Sequence, residues 1–198
     1  MIDNQFARPR GLLGRVVGRM MARRNATLTR RTIGALHLRG DETVLEIGPG
    51  PGVGLRLLAE SLPHGQVIGA EPSPAMRAQA ASRTRRFGDR VRLLDATADS
   101  LSLPAAGIDA VCAINNVQLW RPLAGSLAVV HDLLRPGGTL ALGVTENAVL
   151  PGGGSVGRGY DASLLPHLRD AGFEETTAIW EPGGNGHELL ILTRRGPG

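Results

Sequence analysis

Lysine is absent from the sequence: all 22 basic residues among the 198 are arginine. That absence excludes a Schiff-base lysine, a P-loop lysine on a nucleotide phosphate and the Tyr-Lys pair of short-chain hydride transfer. Cysteine is nearly absent too, and Cys112 alone permits neither an internal disulfide nor a cysteine metal cluster. Aromatics are scarce, with three Phe, two Trp and one Tyr, which leaves little to stack on single-stranded bases. No apolar run reaches the roughly 18 residues of a membrane span. The start, Met1-Ile2-Asp3-Asn4-Gln5, lacks the charged-then-apolar order of a secretion signal. A cytoplasmic protein built as one domain with a sizeable core is the expectation.

The charge that is present is uneven. Residues 1–40 carry nine arginines against Asp3 alone, and residues 41–198 carry thirteen against seventeen acids, so the front is about +8 and the body about −4. A basic arm of this kind suits nucleic acid or a membrane surface. The plainer alternative is an arginine-rich helix that solvates its outer face and docks on the acidic body.

Along the chain, Leu12, Leu13, Val16, Val17, Met20 and Met21 recur at helical spacing within residues 8–24. Asn25 is a break or cap, and a second amphipathic helix spans Thr27 to Leu38, ending where Gly40 can take a left-handed cap. From there strands and helices alternate. Strands are expected at Thr43–Ile47, Gln66–Glu71, Val91–Leu94, Ile108–Ile114 and Thr139–Thr145. Helices are expected from Val53, over Ser73–Arg86, over Leu123–Leu134 and over Asp161–Ala171. Arg135-Pro136-Gly137-Gly138 reads as a turn, and residues 146–159 as a glycine-rich loop. Two closing strands, Glu175–Trp180 and His187–Thr193, form a hairpin. The fold class is therefore α/β: a Rossmann-like doubly wound sheet of about seven strands, mostly parallel with an antiparallel C-terminal strand. Helices cover both faces, and a helical extension precedes them.

The stretch Val44-Leu45-Glu46-Ile47-Gly48-Pro49-Gly50-Pro51-Gly52-Val53-Gly54 runs from a strand through a glycine turn into a helix. Backbone amides and the positive end of a helix dipole face a ligand there. A dinucleotide loop wants Gly-x-Gly-x-x-Gly, and its third glycine falls on Val53. Glu71, at the end of the second strand, stands close to the roughly 20-residue offset at which an acid grips both hydroxyls of a ribose. An adenosine-containing cofactor fits these two features.

These residues carry a resemblance. Val44 to Gly52 looks like the first motif of the small class I S-adenosylmethionine-dependent methyltransferases, of the broad "type 11" group. Gly69-Ala70-Glu71-Pro72-Ser73-Pro74-Ala75-Met76 resembles their ribose motif, and Leu94-Asp95-Ala96-Thr97-Ala98 their adenine-edge motif. Ile108-Asp109-Ala110-Val111 and Leu134 to Leu140 are similar to the later motifs. The resemblance covers about half the chain and implies S-adenosyl-L-methionine as cofactor and S-adenosyl-L-homocysteine as product. It implies that Gly48, Gly50 and Gly52 admit the methionine part and that Glu46 holds its amino group. Glu71 then takes the ribose, Pro72 faces adenine, and Asp95 with the Ala96 amide reads the adenine edge. Asn115 and Asn116 leave the fourth strand where the methyl should point; each either contacts cofactor or substrate or satisfies backbone in a turn. The expected organisation is an arm or lid over residues 1–40 and a cofactor-binding unit over 41–198.

For the methyl acceptor the expectation is a small molecule, met by Gln5, Phe6, Asn116, Gln118, Trp120 and Tyr160. None of His37, His64, His131, His167 and His187 falls at the C-terminal end of a parallel strand, so no general base is assigned and no catalytic residue is named. The exocyclic-amine enzymes that resemble this fold carry Asn-Pro-Pro-Tyr, where this chain has Asn115-Asn116-Val117-Gln118. Val144 to Val149 is similar to the Asp-Asn region of magnesium-dependent catechol-type enzymes. Asn115 stands where their other aspartate would be, so no metal is expected. Two further readings stay open: a nucleic-acid methyltransferase using the arginine arm, and a cofactor-binding protein of this fold that catalyses a non-methylating reaction.

Overall fold

A computed structural model describes residues 25–184 and 186–197. The expected helix over residues 8–24 and the candidates Gln5 and Phe6 lie outside the described residues.

Seven strands form one sheet in the order β3-β2-β1-β4-β5-β7-β6. The parallel part comprises β1 (Thr43–Ile47), β2 (Gln66–Ala70), β3 (Val91–Leu94), β4 (Ile108–Ile114) and β5 (Leu134–Thr145). β6 (Phe173–Gly183) and β7 (Gly186–Arg195) close it as a hairpin, with β7 antiparallel to both β5 and β6. The chain leaves β1 in one direction for β2 and β3 and returns for β4 and β5. That reversal between β1 and β4 opens a crevice at the strands' C-terminal ends.

Alternation along each strand sends neighbours to opposite faces. Val44 packs under α1 (Ala26–Gly34), α2 (Val53–Ser61) and α3 (Pro74–Thr84), with Leu55, Leu58 and Leu62. Leu45 packs on the other face with Leu127 and Val130 of α4 (Leu123–Leu133) and Leu164 and Leu168 of α5 (Tyr160–Asp170). In α2 the buried Leu55, Leu58, Ala59 and the following Leu62 recur at helical spacing, so one stripe faces the sheet. α1 lies close on β5: a Cβ on Gly143 would meet Leu28 Cδ1 at 3.0 Å. Arg31 ties the same helix to the hairpin, donating to Pro182 O and to the buried Glu188 carboxylate and pairing with Glu181.

Element ends depart from the sequence reading in several places, the closing strands running longer at both ends. α1 stops at Gly34 rather than Leu38, and Gly40 caps no helix. Instead the carboxylate of Glu42 gathers the amides of Arg39, Gly40 and Asp41 into a loop. The third helix ends at Thr84 and continues as a short 3-10 stretch, Arg85–Arg90, broken at Gly88. Finally, β5 starts at Leu134, which pairs with Ile108; the expected turn Arg135 to Gly138 sits within the strand as an irregularity before Thr139 pairs with Ala110. Among the described residues no helix is long and apolar enough to cross a membrane.

Candidate functional site

The crevice at the ends of β1, β2 and β4 is a cavity of about 480 Å³, a size that suits a small molecule. Two buried acids stand on its floor. Glu71 follows β2; its Oε2 accepts from the Gly50 amide at 3.0 Å and its Oε1 from the Ser73 amide at 2.9 Å. This carboxylate thereby fixes both the glycine loop and the entry to α3. Burial pushes the Glu71 pKa up, while those two amides and the Arg77 charge oppose the rise.

Glu46, on β1, is different. It is 3% exposed, and its Oε2 is buried with no hydrogen-bond partner among the described residues. Burial, with the Glu71 charge second, raises its pKa to about 8, so the group is mostly protonated at neutral pH. Cys112, also buried, is pushed well up by burial and by Glu46 and is an inert thiol.

The loop between β1 and α2 takes its shape from glycine. Gly48, Gly50 and Gly52 all have positive φ, a conformation in which side chains are strained. A Cβ on Gly52 would lie 2.7 Å from Ala80 Cα, so this glycine lets α3 approach the loop and is not part of the cavity wall. A Cβ on Gly54 would overlap the Glu46 carboxylate. The start of α2 therefore sits directly against that acid, with no side chain capping its first amides.

Beyond β4 the two asparagines have full bonding roles. Asn115, at φ +53, accepts at Oδ1 from the Thr145 amide at 2.7 Å and ties β4 to β5. Asn116 Nδ2 donates to Ile47 O at 2.6 Å, and its Oδ1 accepts from Trp120 Nε1 at 2.9 Å. One side chain thus joins the end of β1 to the ring of Trp120. Both asparagines and Trp120 line the cavity.

The cavity thus brings together Glu46, Gly48, Gly50, Glu71, Pro72, Ala96, Asn115, Asn116 and Trp120 of the expected residues. Others fall elsewhere. Asp95 points away and forms a two-point pair with Arg77 at 2.9 and 2.8 Å; Asp99, on the short turn that follows, lines the cavity instead. Gln118 is buried off the wall, donating to Asn115 O at 3.0 Å. Tyr160 is half-buried at the start of α5, behind the wall.

The wall also includes residues that the sequence reading passed over: Asn25 and Thr29 of α1, Met76, Arg121 and Pro151. The one available signal was the amphipathic helix of residues 27–38, which had to cover something. No histidine lines the cavity among the described residues, and none of these residues forms a group of three or more His, Cys, Asp or Glu placed to hold a metal.

A Rossmann-like sheet with a closing antiparallel hairpin, a glycine loop after β1 and an acid after β2 defines the class I S-adenosylmethionine-dependent methyltransferase fold. Residues 44–138 match the family model described as a methyltransferase domain. An uncharacterized methyltransferase, YdaC of Bacillus subtilis, is 27% identical over 160 residues, spanning 81% of this chain and 87% of its own length. The other curated relatives are matched over less than two thirds of their own length.

Among solved structures, the [4+2]-cyclase SpnF superposes with a TM-score of 0.71 at 21% identity, over 86% of this chain and 80% of that one. The 1,6-didemethyltoxoflavin-N1-methyltransferase of Burkholderia thailandensis, solved with 1,6-didemethyltoxoflavin and S-adenosylhomocysteine bound, superposes at 0.67 and 22% identity. It is matched over 85% of this chain and 78% of that one. The chain thus has the fold of the class I S-adenosylmethionine-dependent methyltransferases and matches a methyltransferase-domain model over residues 44–138, and S-adenosyl-L-methionine is the cofactor of that class.

Proposed function

We propose that the protein transfers a methyl group from S-adenosyl-L-methionine to a small-molecule acceptor, an activity of the EC 2.1.1 kind. The observation that carries this reading is the unpartnered, buried Oε2 of Glu46 beside a glycine loop that opens on the same cavity as Asn116 and Trp120. An acid left without a partner in a dry site calls for a cationic group, and the amino group of the cofactor is one. The residues present fit the cofactor in this respect. Glu46 would hold that amino group, and Gly48 and Gly50 would give the methionine part a backbone surface. Glu71, already aligned by two amides, would take the ribose hydroxyls. Pro72 and Ala96 would border adenine, with Asp99 in the place first assigned to Asp95.

When bound, the cofactor supplies an electrophilic methyl on a sulfonium. The chain's own contribution is position and dryness. Asn116 fixes the Trp120 ring against the end of β1, and Asn115 fixes the β4 end against β5. With no histidine on the wall, the acceptor has to be nucleophilic without a histidine base. A cavity of about 480 Å³, covered by Asn25 and Thr29, supports a small acceptor. Arg31, Arg39, Arg77 and Arg135 are paired with acids of the fold, which supports a small acceptor over nucleic acid. Because α1 begins on the cavity wall, we assign residues 1–40 as a lid over the 41–198 unit.

The test is a titration with S-adenosylhomocysteine followed by incubation with S-adenosylmethionine and a metabolite library. Saturable binding and acceptor-dependent release of S-adenosylhomocysteine are expected. Binding without release for any acceptor, with conversion of a library member, would favour a non-methylating reaction on this fold. Turnover of RNA that falls steeply with salt would favour nucleic acid.

A further inference from the structure

Charge is distributed along the cavity rather than mixed within it. Its three acids, Glu46, Glu71 and Asp99, stand on β1, after β2 and after β3. Its one cation among the described residues is Arg121, which follows β4 on the other side of the switch point. Arg121 has no acidic partner among the described residues. Its guanidinium makes one hydrogen bond among the described residues, from Nη1 to the neighbouring Trp120 O at 2.6 Å, and four of its five donors stay unused. Tyr160 stands close enough for the Arg121 charge to act on its hydroxyl, against a burial that pushes that pKa up. That hydroxyl likewise has no hydrogen-bond partner among the described residues.

We propose that Arg121 is an anion subsite at the acceptor end of the cavity, so that the methyl acceptor carries a carboxylate or a phosphate. The chemistry follows from the donors. A guanidinium edge offers two parallel N–H groups that match the oxygens of either anion. The acids lie across the switch point, so an anion at Arg121 meets no carboxylate from the same strand end. This assignment rests on the methyltransferase reading for the word acceptor, but not for the anion site itself.

The test is calorimetric titration of the full chain, at one fixed salt concentration, with phthalate, phenyl phosphate and the neutral control benzamide. Each is measured with and without saturating S-adenosylhomocysteine. At least one of the two anions is expected to bind and benzamide is not, and which anion binds more tightly decides between carboxylate and phosphate. Arg121→Gln should weaken that binding by about tenfold or more, on the usual strength of charged hydrogen bonds. Arg92→Gln, which removes the same charge from exposed β3, should leave it unchanged.

Unchanged S-adenosylhomocysteine affinity in Arg121→Gln verifies that the variant is folded. Equal anion affinity in wild type and Arg121→Gln, binding of benzamide as tight as the anions, or binding of neither anion would overturn the proposal. Failure of the wild type to bind S-adenosylhomocysteine would overturn the cofactor reading instead, while the titrations without it still decide the anion site.

Discussion

The two ends of the cavity are built from different materials. At the β1–β2 end, carboxylates face backbone amides: Glu71 collects Gly50 and Ser73, and Glu46 lies against the uncapped start of α2. At the β4 end, side-chain amides face carbonyls and an indole: Asn116 holds Ile47 O and Trp120, and Asn115 holds Thr145. The first end presents fixed groups of one charge to a ligand, as recognition of an invariant cofactor requires. The second uses its amides to stiffen a wall and leaves Arg121, which makes one bond to Trp120 O, with unused donors, which suits a partner that differs between proteins of one fold.

Breaking the first end should have the largest effect. Gly54→Val places a branched side chain where the Glu46 carboxylate lies. Overpacking of this kind costs about 1–3 kcal/mol of stability, and S-adenosylhomocysteine binding should be lost beyond detection by calorimetry while the variant still melts cooperatively. Glu71→Ala is expected next. It removes a charged acceptor from two amides, worth about 1.5–3 kcal/mol per charged hydrogen bond, so affinity should fall at least tenfold; an unchanged affinity would remove the ribose assignment.

The wall end should respond less at the cofactor and more in stability. Asn116→Leu leaves Ile47 O and the Trp120 indole unpaired, at a cost of about 1–3 kcal/mol readable in urea melts. S-adenosylhomocysteine affinity should drop less than in Glu71→Ala. The smallest effect is a slope. Glu46 keeps its proton in the fold up to pH about 8 but loses it near 4.5 when unfolded. Between those values the native state binds more protons than the unfolded state, so stability falls as pH rises through the window and levels off above it. Glu46→Gln should flatten that part of the stability profile, measured by denaturant titration from pH 5 to 8.

The same contrast explains what was legible in the sequence. The β1–β2 end comes from one continuous stretch, residues 44 to 76, in which strand, glycine turn and acid follow at fixed spacing. Glu46, Gly48, Gly50, Glu71 and Pro72 were therefore readable, and the cavity gathers them. The succession of strands and helices along the chain was readable for the same reason, since each βαβ unit is local.

The β4 end is assembled from residues 25–29, 114–121 and 151, with Tyr160 behind, and no spacing rule connects them. Arg121 was passed over because a single arginine after Trp120 looks like any surface charge until the cavity wall is known. Sequence could not show that Arg77, one helix earlier, engages both oxygens of Asp95 and holds them off the cavity wall. Gly52 carried the same glycine signature as its neighbours, yet the cause lies in Ala80 across the helix pair.

The claim that the rest depends on is that Glu46 waits, protonated and unpartnered, for the cationic end of the cofactor. The direct measurement is calorimetry of S-adenosylhomocysteine binding to wild type and Glu46→Gln between pH 6 and 8, in two buffers of different ionisation enthalpy. Pairing returns Glu46 to the carboxylate, so binding to the wild type should release a proton at pH 6 to 7. Affinity should then rise with pH toward about 8, by up to about tenfold per unit; the variant should bind more weakly and with a flat profile. A wild type that binds with no proton release and the same pH profile as Glu46→Gln would contradict the account.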